Sequence, residues 1–308
     1  MKPLITLNDA GWIALLAVAA LAFVGCANAQ SKTAMTPKHV LVVSTTTGFR
    51  HSSIPTAEKI IGELAQSSGA FTVEYARVEP NEPQFKGEDG KPDKAKVNEA
   101  IKTVLAEKMS AAALAKYDGV IFANTTGDLP LPDSQAFLDW IRAGHAFIGM
   151  HAATDTFPGF QPYTEMIGGH FLRHGPQVEV EAINQDSECA ACKHLPKTWT
   201  VFDEIYQLKD FDRTKVHGLL SLDRLMLNAD DIKNKKATPG DYPIAWRKDY
   251  GQGRVFYTSF GHREDLWDAT WTEKDGSRKN SPEVAKQYQQ HILGGIRWAL
   301  GLEKAAAK

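Results

Sequence analysis

Cysteine is scarce in this chain of 308 residues: only Cys26, Cys189 and Cys192 occur, too few for a disulfide framework or a four-thiolate zinc site. Equally missing are the HExxH pattern of zinc proteases, the phosphate-cradling Walker loop and the GxGxxG dinucleotide turn. No block of five or six like charges appears, and the formal net charge is -2. Nothing here would release counterions from a phosphate backbone, so nucleic acid is not an expected partner. An apolar run long enough for a confident membrane span is also lacking, since the one candidate falls short of the roughly 20 residues a helix needs.

That candidate, Trp12 to Val24, follows Lys2 and precedes Ala27-Asn28-Ala29, the small-x-small pattern that signal peptidase accepts. Residues 1–29 are therefore expected to be an export signal, which directs the protein to the periplasm or beyond. Val24-Gly25-Cys26 also places a cysteine as lipoprotein signals do, with Phe23 where leucine is usual. Soluble export and acyl anchoring at Cys26 both stay open, and membrane contact is expected only with the second. Once the signal is gone, Cys189 and Cys192 remain; spaced CxxC and followed by His194, they read as a local disulfide, with free thiols the alternative.

The whole chain has ordinary globular composition, 43% hydrophobic and 23% charged, and beyond the signal it is expected to form one domain over about 39–301 with a short tail, 302–308. His39 to Thr45, Phe71 to Ala76, Asp118 to Asn124 and His145 to Met150 are short apolar runs that read as buried strands. Between them, Ser53 to Ala65, a segment from about Val97, and Pro132 to Gly144 have helical patterns, with Ser53 expected as a cap. Alternating strands and helices predict a mostly parallel sheet covered on both faces. Gln177 to Ile183, His217 to Leu222, Pro243 to Lys248 and Arg254 to Phe260 add further strands, and Ser281 to Leu300 a closing helix. Glu79 to Lys96, Thr238-Pro239-Gly240 and Lys274 to Asn280 read as exposed loops.

In open α/β sheets, ligands bind beyond the carboxyl ends of the strands. Three histidines stand just after predicted strands: His51, His151 and His262, with Asp155 close behind His151. Together they are expected to form either a general acid/base set near neutral pH or a three-nitrogen site for a divalent metal ion. His170 and His174 are four apart, a ligand spacing on a helix, but Gly168, Gly169, Gly175 and Pro176 argue against a helix there. A shared role in the pocket is expected of them. Trp246, Trp267 and Trp271 are candidates to stack on a ring, against the alternative that they are core.

The segments FRHSS (49–53), GMHAATDTF (149–157), GGHFLRHGP (168–176), FDEIY (202–206) and WRKDYGQGRVFYTSFGH (246–262), in that order, resemble the ThuA-like family over about residues 39–301. The resemblance implies a flavodoxin-like fold related to the class I glutamine amidotransferases, and an association with trehalose and other sugar utilisation. Those amidotransferases carry a cysteine at a sharp strand-to-helix turn; here that elbow reads Gly149-Met150-His151-Ala152-Ala153, which excludes a glutaminase with a thiolate at this position. The acidic pair Asp203-Glu204 belongs to the family pattern, which implies that Glu204 points into the pocket as a base or a ligand for sugar hydroxyls. The expected function is a sugar-active hydrolase or isomerase in carbohydrate utilisation, with His51, His151, His262, Asp155 and Glu204 as its reaction centre and His170, His174 and Trp246 as ligand contacts. The alternative is a non-catalytic carbohydrate-binding module on the same fold.

Overall fold

In the computed structural model, the described residues are 36–222 and 242–303. The expected export signal with Cys26, the loop Thr238-Pro239-Gly240 and the last residues of the expected tail lie outside them. Among the described residues no helix is long and apolar enough to cross a membrane.

The chain opens on β1 (Lys38–Val43), whose residues alternate between two apolar layers: Val40 and Val42 face one, Leu41 and Val43 the other. A strand apolar on both faces belongs inside a parallel sheet covered by helices. Then follow α1 (Ile54–Ser68), β2 (Phe71–Ala76), α2 (Lys94–Met109), α3 (Ala111–Leu114), β3 (Gly119–Ala123), α4 (Ser134–Arg142), β4 (Ala146–Met150), α5 (Gln161–Ile167), β5 (His170–His174), β6 (Val178–Asn184), β7 (Thr198–Asp203), β8 (Tyr206–Lys209), β9 (His217–Leu222), β10 (Pro243–Tyr250), β11 (Gly253–Thr258), α6 (Glu264–Trp267) and α7 (Pro282–Ala299). Helix α2 begins ahead of Val97 because the Asp93 carboxylate accepts from the Ala95 and Lys96 N–H groups, satisfying donors the first turn leaves open. Ser53 stands at the N-cap position of α1 as expected, but its hydroxyl makes no capping bond and donates to the Gly261 carbonyl instead.

The main sheet has the order β2-β1-β3-β4-β11-β10-β9-β6-β7. Its first five strands are parallel, in the flavodoxin order, and the remaining four pair antiparallel. Strands β5 and β8 form a separate antiparallel pair. Helices α1 and α7 cover one face through Ile60, Ile61, Ile292 and Ile296. Helices α2, α4 and α5 cover the other through Ile101, Leu105, Phe137, Ile141 and Ile167. This is the mostly parallel, doubly covered α/β fold expected from the sequence. It brings the carboxyl ends of β1, β3, β4 and β11 side by side.

His170 and His174 lie on strand β5, not on a helix. Four residues along a strand span roughly 13 Å, against roughly 6 Å on a helix. A metal site built on that pair is excluded.

Candidate active site

Each of the three strand-end histidines is delivered by a different parallel strand. The chain leaves β1 through residues 44–50 to His51, turns sharply after β4 at His151, and leaves β11 through Ser259, Phe260 and Gly261 to His262. His151 has φ 46°, in the left-handed region that a side chain enters only when its surroundings hold it there. The elbow thus persists with imidazole in place of thiol. Its tightness needs small neighbours: a Cβ on Gly149 would lie 3.2 Å from the Ala153 Cβ and 3.1 Å from both Ile167 and Tyr257.

His151 is fully buried, and its Nδ1 lies 2.8 Å from the Ser259 carbonyl oxygen. A carbonyl can only accept, so Nδ1 carries the proton and Nε2 presents a lone pair to the pocket. Around Nε2 stand His51 Nε2 at 3.2 Å, His262 Nδ1 at 3.3 Å and Glu204 Oε2 at 3.6 Å. Glu204, from the short link between β7 and β8, also reaches His262 Nδ1 at 3.1 Å. One donor atom from each of the four residues fits within 4.8 Å of all the others. One lone pair cannot serve two neighbouring imidazoles equally, whereas a cation among the four would engage every donor.

Electrostatics favour neutral ligands at the back of this pocket. Burial, and then the neighbouring His262, lower the pKa of His51 to about 4. Burial and the other two imidazoles hold His151 well below its ordinary value. For His262, burial opposes the charge, but the hydrogen bond and negative charge of Glu204 outweigh it and raise the pKa. His51 and His151, held neutral beside the Glu204 carboxylate, are in the ligand state that a divalent ion such as zinc or manganese requires, and His262 would give up its proton on binding one.

Several residues that sequence reasoning did not assign hold this arrangement in place. Asp203 Oδ2 accepts from the Gly261 and His262 N–H groups at 2.7 and 3.3 Å, and burial pushes its pKa up to about 6. Asn124, at φ 56° after β3, donates to the Ser53 hydroxyl and to the Gly261 carbonyl, both at 2.9 Å. The Tyr257 hydroxyl donates to the His151 carbonyl at 2.7 Å, and the Tyr206 ring lies 4.5 Å from the His151 ring. Asp203, Tyr206 and Tyr257 fall within the family-like segments 202–206 and 246–262, but those segments do not give their supporting roles, and Asn124 becomes visible only through space.

The structure separates the remaining candidates. His174 is partly exposed and contacts the far oxygen of Glu204, Nδ1 to Oε1 at 2.9 Å, so it borders the site. Asp155 is half-buried and senses the charge of His174, yet it is not one of the four clustered groups. His170 lines a different cavity of about 190 Å³ with Phe160, Gln161 and Lys209. Trp246 is core: it is fully buried, donates to the Ile167 carbonyl at 2.8 Å and packs on Tyr257. Trp267 is likewise buried, its indole N–H donating to the Gly261 carbonyl at 2.8 Å. Cys189 and Cys192 are both free and buried, not a disulfide. A tight turn directs the Cys192 thiol toward the Leu219 carbonyl, 3.9 Å away, and burial raises both thiols.

The family model for ThuA, trehalose utilisation, matches residues 39–275. Among solved structures, a ThuA-like protein from Parabacteroides merdae aligns with a TM-score of 0.57 at 18% identity, covering 86% of this chain and 90% of that one. A ThuA-like protein from Bacteroides uniformis aligns with a TM-score of 0.55 at 16% identity, covering 86% and 92%. At these identities the likeness establishes the fold. No curated protein matches the chain.

Proposed function

The chain belongs to the ThuA family, trehalose utilisation, and from that premise we propose that it is an exported enzyme acting on a sugar or sugar derivative through one divalent metal ion. His51, His151, His262 and Glu204 are the proposed ligands. The observation that carries this reading is the His151 Nε2 lone pair, fixed by the Ser259 carbonyl and ringed by two imidazoles and a carboxylate within 3.6 Å.

Three nitrogens and a carboxylate suit zinc, manganese and related ions, which can accept further oxygen ligands beyond four. Such an ion polarises a carbonyl or hydroxyl oxygen, or lowers the pKa of a bound water, and either suits hydrolysis or isomerisation of a sugar. His262 and His174 are the partly exposed members of the group, so substrate enters on their side. Asp155, its carboxyl held above the ordinary range by burial, is a further group able to exchange a proton there. Export rests on the apolar run and the Ala27-Asn28-Ala29 pattern at the start of the chain.

The test is turnover of a sugar panel, with trehalose included, by metal-loaded protein and by protein stripped with chelator. Product formed only with metal supports the enzyme reading. Saturable sugar binding without product after long incubation replaces it with the non-catalytic module, which the loss of the elbow cysteine favours.

A further inference from the structure

Among the described residues, the large hydrophobic side chains left exposed are Phe49, at 67%, and Leu172, at 47%. Phe49 stands on the loop that delivers His51, and it is held there firmly. Its carbonyl accepts from the Thr126 hydroxyl at 2.7 Å and from the Thr46 hydroxyl at 3.2 Å. The Thr47 and Gly48 N–H groups both donate to the Thr126 carbonyl, at 3.1 and 3.3 Å, and the Thr47 hydroxyl donates to the Asp128 carbonyl at 3.0 Å. Gly48 is needed for this approach, since a Cβ there would lie 2.8 Å from the Thr126 hydroxyl. The loop is pinned by five hydrogen bonds, four of them on its backbone, while the ring is given to solvent.

The Phe49 and His51 rings have centroids 4.9 Å apart and meet at 83°, edge to face and not stacked, and Phe49 remains largely exposed. His51 in turn lies 4.7 and 5.2 Å, centroid to centroid, from His151 and His262. Exposing an aromatic ring is unfavourable in the free protein, and fixing its loop removes the entropy loss on binding. Sugar rings carry an apolar face of C–H bonds that packs on aromatic rings, where hydroxyl-lined edges remain free for polar groups.

We propose that Phe49 is the stacking platform of the site: it receives the C–H face of a cyclic sugar and thereby presents that ring's edge to the histidine cluster. This rests on the sugar reading above and adds which residue selects a ring over an open-chain polyol. Trp246 and Trp267, two of the three tryptophans that the sequence offers for this role, are fully buried, which rules them out.

The experiment is calorimetric titration of the metal-loaded protein with trehalose, glucose and sorbitol, comparing wild type with Phe49→Ala, Phe49→Leu and Phe49→Tyr. The expected result is binding of a cyclic sugar in preference to sorbitol, weakened about tenfold by Phe49→Ala and Phe49→Leu and kept by Phe49→Tyr. Metal content should be the same in all four proteins. Equal sugar affinity in wild type and Phe49→Ala overturns the platform and leaves the sugar reading standing. No binding of any of the three to wild type overturns both. A loss in Phe49→Ala that Phe49→Tyr shares also overturns the platform, since shape and not stacking would then decide.

Discussion

His151 Nδ1 and the Ser259 carbonyl oxygen are 2.8 Å apart, and this one contact ties the β4 elbow to the end of β11 while fixing which nitrogen of His151 faces the pocket. The carbonyl belongs to the neighbouring parallel strand's exit, so sheet order and imidazole tautomer are a single arrangement. A metal-ligating histidine characteristically donates its other N–H in this way.

Asp203 should matter to metal binding although it touches no ligand atom of the cluster. Its Oδ2 holds the N–H groups of Gly261 and His262, so Asp203→Ala frees the turn that aims His262 and leaves two buried donors unsatisfied. We expect metal affinity to fall about 10–100-fold and stability to fall by about 1–3 kcal/mol, read by competition with a chelator and by thermal melting. Unchanged affinity would show that His262 is positioned without the carboxylate.

The metal-free protein should lose stability on mild acidification. Burial holds His51 and His291 at about 4, and His151 lower than its ordinary value, against about 6.5 in the unfolded chain. Below pH 6.5 the unfolded chain takes up protons that the folded one does not, so stability falls as pH drops through that window toward 4. Asp203 acts oppositely: with its folded pKa raised to about 6, the stability it adds is present at low pH and lost as pH rises through 6. His262 and Asp155, raised as well, act in the same sense as Asp203; the lowering of His51, His291 and the fully buried His151 is the larger effect, so the melting temperature of metal-free protein should be lower at pH 5 than at pH 7. A higher one would contradict the assigned burial.

Helix α7 packs so closely on the Cys189–Cys192 turn that Gly294 is obligatory. A Cβ there would lie 2.4 Å from the Ala190 carbonyl oxygen and 2.6 Å from the Ala191 nitrogen. Gly294→Ala should gain about 1 kcal/mol of helix propensity, but backbone cannot rotate away as a side chain can. Overpacking of about 1–3 kcal/mol should win, giving a lower melting temperature. An increase would mean that α7 can shift.

The two thiols of that turn should stay reduced and slow to react. Both are buried, with pKa values raised by burial, so thiolate is scarce at neutral pH. Labelling by a thiol reagent should be slow in the native protein and fast after unfolding, and mass spectrometry should show no disulfide joining positions 189 and 192. A 189–192 disulfide in protein purified without reductant would contradict the structure.

The parallel half of the fold was legible because its strands are short apolar-rich runs separated by helical patterns, with β2 running over the residues expected. In the antiparallel extension β6, β9 and β10 were legible as strands, β9 over the residues expected, whereas β7 was not; the order was not legible either, since nothing in a short apolar run encodes its neighbour. The three histidines were found from the strand-end rule, and Glu204 from the family motif. Asp155 was favoured for closeness in sequence to His151, yet the sharp turn that aims His151 does not bring it into the four-residue cluster. His170 and His174 show that a spacing of four has meaning only once helix or strand is known. Trp246 sits on a strand where burial depends on a partner, α5, that its own sequence neighbourhood does not reveal.

The most direct test of the central claim is metal content of the purified protein by elemental mass spectrometry, measured beside His151→Gln, which removes the imidazole lone pair at the centre of the cluster. Near-stoichiometric zinc, manganese or a related divalent ion in wild type, lost in a folded His151→Gln protein, is the predicted result. Metal-free wild type that stays empty after incubation with each of these ions, or equal metal in both proteins, would contradict it.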